Sequence, residues 1–413
     1  MATPRRVLAR RAARLLGYWR SETRTFRQGL VALTISTAAG FIAGLTLAGS
    51  DQLLRDLPGL LVLIPASVGL RGSIFGAMGA RLGTQIAAGL FVPNLRPGGP
   101  LRTNVEVTVV SALAASFFLA VIAKLVAAAF GESTISLWDL VTISVLSGAI
   151  ASAVIIVLTV GLAITSFRRG WDLDAVATPL LTALGDMITL PAIVVAALIT
   201  RTDAANAALA TVCTVASAAA VLYAVTHASP ITRRILREMA PIVAVTPIID
   251  VFAGAVLEAQ RDRLLTAAAV LIMIPPFVSQ AGALGGILSS RLSSKLRLGV
   301  ISPRGRPQPP ALVDGSVVVA LALVVFAFIG LAAWFIAEAT GQIGPGIGSM
   351  LGASLLAGAL VVPLMLVTAY YVAVATSRHG LDPDNAGVPI ITSVMDLAGV
   401  SAVIFIMGVS GVI

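Results

Sequence analysis

Two aspartates, Asp186 and Asp396, sit inside apolar stretches of this 413-residue chain. Each comes four residues after a threonine, Thr182 and Thr392. On a helix that spacing puts carboxylate and hydroxyl on one face, an oxygen-lined surface suited to a hard cation or its water shell. An ionised carboxylate at the centre of a membrane helix costs about 2.5–3.5 kcal/mol on insertion scales. No basic residue lies within a turn of either aspartate, so each needs a partner, water or a bound cation. The plainer alternative is a local bond or cap within its own segment.

The two aspartates are copies of one another. Residues 170–186 read GWDLDAVATPLLTALGD and residues 380–396 read GLDPDNAGVPIITSVMD, with Gly170, Asp172, Asp174, Pro179, Thr182 and Asp186 each matched 210 positions later. The same offset aligns IPASVGLRGSIFGAMGARLGT, from Ile64, with IPPFVSQAGALGGILSSRLSS, from Ile274. One register across two distant motifs argues for duplication rather than shared apolar composition. A duplicated membrane unit with a buried carboxylate in each copy suggests a cation path along the interface of the copies.

Other residues join the candidates with two readings each. Asp172, Asp174, Asp382, Asp384 and Asn385 stand at the starts of the aspartate-bearing helices, as helix caps or as attractors of cations at an inner mouth. Glu106 and Asp314, near the starts of the third helices, divide the same way. Asp250 lies mid-helix with Gly40 at its matching position, which makes it a one-sided addition to the pathway or a locally satisfied residue. In the second-helix motif, a break near Gly72 and Gly282 would turn backbone carbonyls toward the ion; the alternative is close helix packing by small residues. Arg81 and Arg291 are expected at the inner membrane boundary. His227 and His379 form no metal or catalytic cluster, and no Walker A sequence points to ATP drive.

These residues require a membrane scaffold. Hydrophobic residues make up 58% of the chain, charged residues 11%, and mean hydropathy is +0.99, whereas soluble domains carry roughly 25% charged residues. Long apolar runs without period-2 alternation favour helices over a barrel. The predicted fold is therefore an all-α polytopic membrane protein. Eleven spans are expected, near 28–50, 57–91, 105–129, 138–165, 175–200, 204–226, 238–258, 264–290, 313–338, 346–376 and 386–411. Prolines and glycines in the second span and its copy predict a kink or an unwound segment. The single cysteine, Cys213, rules out an internal disulfide and reads as a packing residue.

Charge sets the orientation. With the N-terminus in the cytoplasm, twenty-one Lys and Arg fall on the cytoplasmic side and four, Arg55, Arg201, Arg261 and Arg263, on the other, a strong positive-inside signal. The net charge of +9 lies in membrane-flanking loops, which points to lipid and not to nucleic acid. Residues 1–27 form a basic segment, either an amphipathic helix on anionic lipid or a topology anchor, and lack the features of a signal peptide. A five-span unit starts and ends on opposite sides, so a direct fusion would invert the second copy. The sixth span returns the chain to the cytoplasm. Residues 28–203 and 233–413 are then two parallel five-helix repeats, joined by a connecting helix within 204–232 and related by a pseudo-two-fold axis along the membrane normal. The chain is a pseudo-dimer in itself, with further association left open.

At IPASVGLRGS…ARLGT with DLDAVATPLLTALGD, and again at RLSS with LDPDNAGVPIITSVMD, the sequence resembles the MgtE-type magnesium transporters and their eukaryotic solute-carrier relatives. The resemblance covers both repeats. It implies a five-helix unit, paired around a central divalent-cation pathway, with the family's fifth-helix aspartate at Asp186 and Asp396. It departs where family members often carry Asn after the second-helix glycine; here Ser73 and Ala283 stand there. A cytoplasmic sensing region with CBS domains is not expected in the residues preceding the first span. The leading expectation is a divalent-cation channel or transporter in the cell membrane, magnesium first among the ions and carried partly hydrated. Two charges moving down the membrane potential gain about 4.6 kcal/mol per 100 mV. Another divalent metal, or exchange against sodium or protons, fits the same residues. An organic or anionic solute transporter using Arg71, and an intramembrane aspartyl protease, are the weaker alternatives; SVMD around Asp396 lacks the protease glycines.

Overall fold

A computed structural model describes residues 23–96, 98–169, 173–200, 203–379 and 387–411. Among the described residues every regular element is a helix: α1 (Thr23–Ala48), α2 (Asp51–Asp56), α3 (Leu60–Ala87), α4 (Pro100–Ala129), α5 (Leu137–Arg169), α6 (Leu173–Thr200), α7 (Asp203–Thr226), α8 (Pro230–Glu258), α9 (Arg261–Thr266), α10 (Ala268–Arg297), α11 (Pro309–Ala339), α12 (Ile347–His379) and α13 (Val388–Val409). Ten are long and apolar enough to cross a membrane, and α1 adds the apolar stretch Leu33–Ala48. The protein is an all-α polytopic membrane protein.

Helix ends follow local chemistry. Pro100, Pro230 and Pro309 open α4, α8 and α11, where the missing N–H has no helical partner to lose. Ser229 accepts a hydrogen bond from the Thr232 N–H at 3.1 Å and caps α8. α4 and α11 both stop on glycines in the left-handed region, Gly131 (φ 74°) and Gly341 (φ 67°). The next N–H, from Glu132 or Gln342, reaches back to the carbonyl of Ala127 or Ala337. This is a Schellman stop, which glycine makes without Cβ strain.

The element order repeats at the sequence offset. α2 and α9, two six-residue helices, start 210 residues apart, as do α5 and α12. These two short helices precede the second long helix of each half, within stretches expected to be loop or span. Packing follows the same rule. α1 lies on α10, and α8 lies on α3. The approach is backbone to backbone: a methyl at Gly44 would strike the Ile272 carbonyl, and one at Gly254 would strike the Val62 carbonyl. The second pair is the first with the halves exchanged: Gly254 lies 210 positions after Gly44, and Val62 lies 210 before Ile272. The halves are therefore interlocked through their first helices.

α3 and α10 form the centre and are the most buried long helices. Both run unbroken through Pro65 and Gly72, and through Pro275, Pro276 and Gly282, so the expected break does not occur. The α10 glycines serve packing instead, while a methyl at Gly72 or Gly76 of α3 would meet nothing within 4 Å. A methyl at Gly282 would lie 3.3 Å from Thr392 Cγ2, and one at Gly285 would lie 2.6 Å from Ile391 Cγ2. Close helix contact outweighs a helix-propensity cost of about 1 kcal/mol per glycine, and the backbone carbonyls stay in the helical ladder.

α7 stands outside this pattern. It packs mainly on α4 and α5 through Ala210, Cys213, Ser217 and Ala220, while Val212, Val215, Val221, Leu222 and Val225 face outward. Cys213 is a buried packing residue, as its apolar setting implied. Residues 1–22, with most of the basic N-terminal segment, lie outside the described residues.

Candidate cation site

Three acidic residues on three helices are buried at the centre: Asp186 on α6 at 5% exposure, Asp250 on α8 at 0% and Asp396 on α13 at 8%. Such groups are almost never fully buried without a partner. The packing of α13 on both α8 and α10, and of α6 on α3, carries them inward.

Gly69 of α3 is where two of them meet. A methyl at Gly69 would stand 2.5 Å from Asp250 Oδ2 and 3.4 Å from Asp396 Oδ2. The two oxygens are thus no farther apart than those distances combined, and only a residue without a side chain leaves room for both. Neither Asp250 oxygen has a hydrogen-bond partner among the described residues; Ser393 of α13 lies beside the carboxylate without reaching bonding geometry. Asp396 is within electrostatic reach of both Asp250 and Asp186.

Asp186 is held differently. Ser279 of α10 donates to Asp186 Oδ2 at 2.5 Å. Ser279 occupies the position matching Gly69. The second half therefore meets the first half's aspartate with a hydroxyl, and the first half leaves at Gly69 a gap that Asp250 enters. Among the described residues, no three His, Cys, Asp or Glu side chains converge tightly enough to ligate one ion directly. That spacing leaves room for a water-filled coordination sphere.

The other candidates fall in several places. Thr392 donates to its own helix at the Pro389 carbonyl, 2.9 Å away, which leaves its hydroxyl oxygen with lone pairs for an ion or water. Gly72 and Ser73 are half-buried on α3. The Thr182 and Asp174 side chains, and Asp172, Asp382, Asp384 and Asn385 entirely, lie outside the described residues. Asp314 binds Arg291 at 2.8 Å and Lys295 at 2.5 Å, and Glu106 binds Arg102 at 2.7 Å; both are engaged in ion pairs. Arg81 matches Arg291 and donates to Asn104 at 2.7 Å, the residue that matches Asp314. Arg71 is 1% exposed and, among the described residues, bonded inside the first half to the Ser67 carbonyl and the Ser116 hydroxyl, so it offers no open anion site there.

Reading the sequence by its matches found Asp186 and Asp396. It passed over Gly69, Ser279, Ser393 and Glu258, whose carboxylate accepts from the Leu61 N–H at the start of α3. The signal for Gly69 and Ser279 was a mismatch inside an otherwise matching motif.

Comparison with known proteins gives an independent view. A family model described as a divalent cation transporter, MgtE, matches residues 64–196 and 274–406, more than half of the chain and in two segments offset by 210. The chain is also similar to solute carrier family 41 member 3 from Mus musculus, 24% identical over 366 residues, covering 84% of this chain and 74% of the relative. The Rattus norvegicus counterpart is 24% identical, over 84% of this chain and 78% of the relative. Solute carrier family 41 member 2 from Homo sapiens is 29% identical over 147 residues, covering 34% of this chain and 25% of the relative. No solved structure matches the chain.

Proposed function

The chain belongs to the MgtE family of divalent cation transporters, and from that premise we propose that it carries magnesium along a path between two parallel repeats. The family is one of transporters, so the protease alternative falls away. The observation that carries this reading is the convergence of Asp250 and Asp396 on Gly69, with Asp186 in electrostatic reach of Asp396. Buried carboxylates that approach one another without basic partners call for a cation between them. Magnesium sheds water reluctantly and usually keeps several waters, bound by one or two carboxylates. A site whose carboxylates approach without closing a cage suits such an ion.

In this reading residues 28–203 and 233–413 are the two transport repeats, and α7 in the 204–232 segment is the connector that keeps them parallel. The N-terminus is cytoplasmic, as the distribution of Lys and Arg favours. Thr182 and Thr392 supply hydroxyl oxygens beside the aspartates, and Gly72, Ser73 and Gly282 border them on α3 and α10. Asp172, Asp174, Asp382, Asp384 and Asn385 gather cations at the inner mouth.

The test is flux of Mg2+ into proteoliposomes, with and without a sodium gradient. Asp186→Ala combined with Asp396→Ala is expected to abolish the flux while other divalent ions also stop. Unchanged Mg2+ flux in that double variant refutes the site. A dependence on the sodium gradient marks exchange; its absence marks passive uptake.

A further inference from the structure

The connector α7 meets α8 at a basic cavity far along the chain from the three aspartate positions. The cavity has a volume of about 450 Å³ and is lined by Ala228, Pro230, Arg233, Arg234, Arg237 and Glu238. That size falls in the range of roughly 300–1,000 Å³ typical of small-ligand pockets. Its lining carries three guanidiniums and one carboxylate.

Little in the protein neutralises these cations. Arg234 pairs with Glu238 at 2.8 Å, one turn along the same helix, and both side chains are exposed, so the pair is weak. Arg233 and Arg237 join no ion pair among the described residues. Arg233 Nη2 reaches only the Ala228 carbonyl, at 3.5 Å, and its buried Nε has no hydrogen-bond partner among the described residues. The Ser229 hydroxyl is engaged with Thr232. Positive charge is therefore left in excess around the cavity. Arg234 and Arg237 match Arg24 and Arg27 of the first half, while Arg233 stands opposite Thr23. The third arginine is thus added in the half where the connector arrives.

The neighbouring surface is hydrocarbon. Leu222 and Val225 on the last turns of α7, and Ile231 on the first turn of α8, are exposed. Tyr223 and His227 stack at the end of α7 with ring centroids 6.3 Å apart, and tyrosine is enriched at the membrane–water boundary. α7 packs on α4 and α5 and little on α8, so helix packing does not seal the junction.

We propose that this cavity binds the phosphate headgroup of an anionic phospholipid, with the acyl chains lying along the exposed apolar face of α7. A guanidinium offers phosphate parallel N–H donors, and basic pockets beside membrane helices take acidic headgroups. The junction lies on the side that the Lys and Arg distribution assigns to the cytoplasm, where acidic lipids make the membrane surface negative. A free phosphate would use the arginines and leave the hydrocarbon beside them bare, which favours the lipid. The bound lipid ties α7 to α8 where protein contacts are few.

The experiment is native mass spectrometry of the full-length protein in neutral detergent, titrated with phosphatidylglycerol or phosphatidylcholine, with inorganic phosphate as competitor. The wild type is expected to hold phosphatidylglycerol in preference to phosphatidylcholine, and inorganic phosphate is expected not to displace it. Arg233→Gln with Arg237→Gln should weaken phosphatidylglycerol binding about thirtyfold. Arg234→Gln with Arg237→Gln, at two exposed positions, carries the same expectation where the first pair folds poorly. Arg304→Gln with Arg306→Gln removes the same charge from an exposed loop and should leave binding unchanged. Equal weakening by the loop pair marks diffuse attraction and overturns the site. Equal affinity for the two lipids overturns it as well, and displacement by inorganic phosphate replaces the lipid with a soluble anion. None of these readouts involves ion flux, so they stand apart from the magnesium path.

Discussion

Gly69→Ala is the sharpest test of the convergence at the centre of the protein. The added methyl would stand 2.5 Å from Asp250 Oδ2, 3.2 Å from its Cγ and 3.4 Å from Asp396 Oδ2. Non-bonded heavy atoms rest at roughly 3.5 Å, so the Asp250 carboxylate or the α3 backbone must retreat by about 1 Å. Asp250 has no exposed surface into which to move. Overpacking of this kind costs about 1–3 kcal/mol. The helix-propensity gain from Gly to Ala, about 1 kcal/mol, offsets part of it and leaves a net loss of up to about 2 kcal/mol. The displacement also separates the carboxylates proposed to hold the ion, and each 1.4 kcal/mol lost in ion stabilisation is about tenfold in affinity.

The assay pairs thermal unfolding of the purified protein with Mg2+ flux in proteoliposomes. Gly69→Ala is expected to lower both, with flux reduced about tenfold or more. Gly161→Ala is the control: α5 is exposed there, and no atom lies within 4 Å of an added methyl, so stability rises slightly and flux is unchanged. Adding Asp250→Ala to Gly69→Ala frees the contested space and should recover stability without recovering normal flux. Wild-type stability and flux in Gly69→Ala would refute the convergence of Asp250 and Asp396 on α3.

Two further perturbations separate the site from the scaffold. Ser279→Ala removes the donor to Asp186 and is expected to cost about 1–3 kcal/mol for the buried oxygen left unsatisfied; chemical unfolding reads this, and the cost should vanish when Asp186 is also Ala. Asp314→Ala strips a fully buried acceptor from Arg291 and Lys295 and should destabilise by about 3–5 kcal/mol, whereas Asn104→Ala, its neutral counterpart facing Arg81, should cost nearer 1 kcal/mol. Equal losses at the two positions would mean that the charge of Asp314 does not matter to folding.

Most of the architecture was legible because membrane helices announce themselves by length and apolar composition, and because the duplication supplied a register. What was missed lies below those two signals. The helices Asp51–Asp56 and Arg261–Thr266 are too short for a window sized to a membrane span, and their charged residues read as loop. The break expected at Gly72 and Gly282 failed because glycine in a membrane helix need not unwind it: Gly282 packs against Thr392, while Gly72 stays helical beside open space. The bearing of the α10 glycines on packing is visible only once Thr392 and Ile391 are seen against α10. Asp186 and Asp396 stood out as buried acids that matched. Gly69 and Ser279 are ordinary residues one at a time, and their meaning appears only when their difference is set beside the unmatched Asp250.

Why the unmatched residues occur in one chain follows from symmetry. Two identical subunits about a two-fold axis place every substitution at the site twice. An arginine like Arg71 would then appear on both sides, and so would an acid like Asp250. The other half does not admit the copies: a side chain at Gly40 would strike the Pro276 backbone at 2.7 Å, and an arginine at position 281 would displace the stacked Phe277 and Phe326 that fill the second half. A fused chain escapes this constraint, because each half can change alone. The scaffold has kept its symmetry in the contacts of Gly44 with Ile272 and Gly254 with Val62, and in the paired serine bonds to residues 116 and 326. The departures include Asp250 against Gly40 and Gly69 against Ser279, so that one half supplies the extra buried acid and the other the gap beside it.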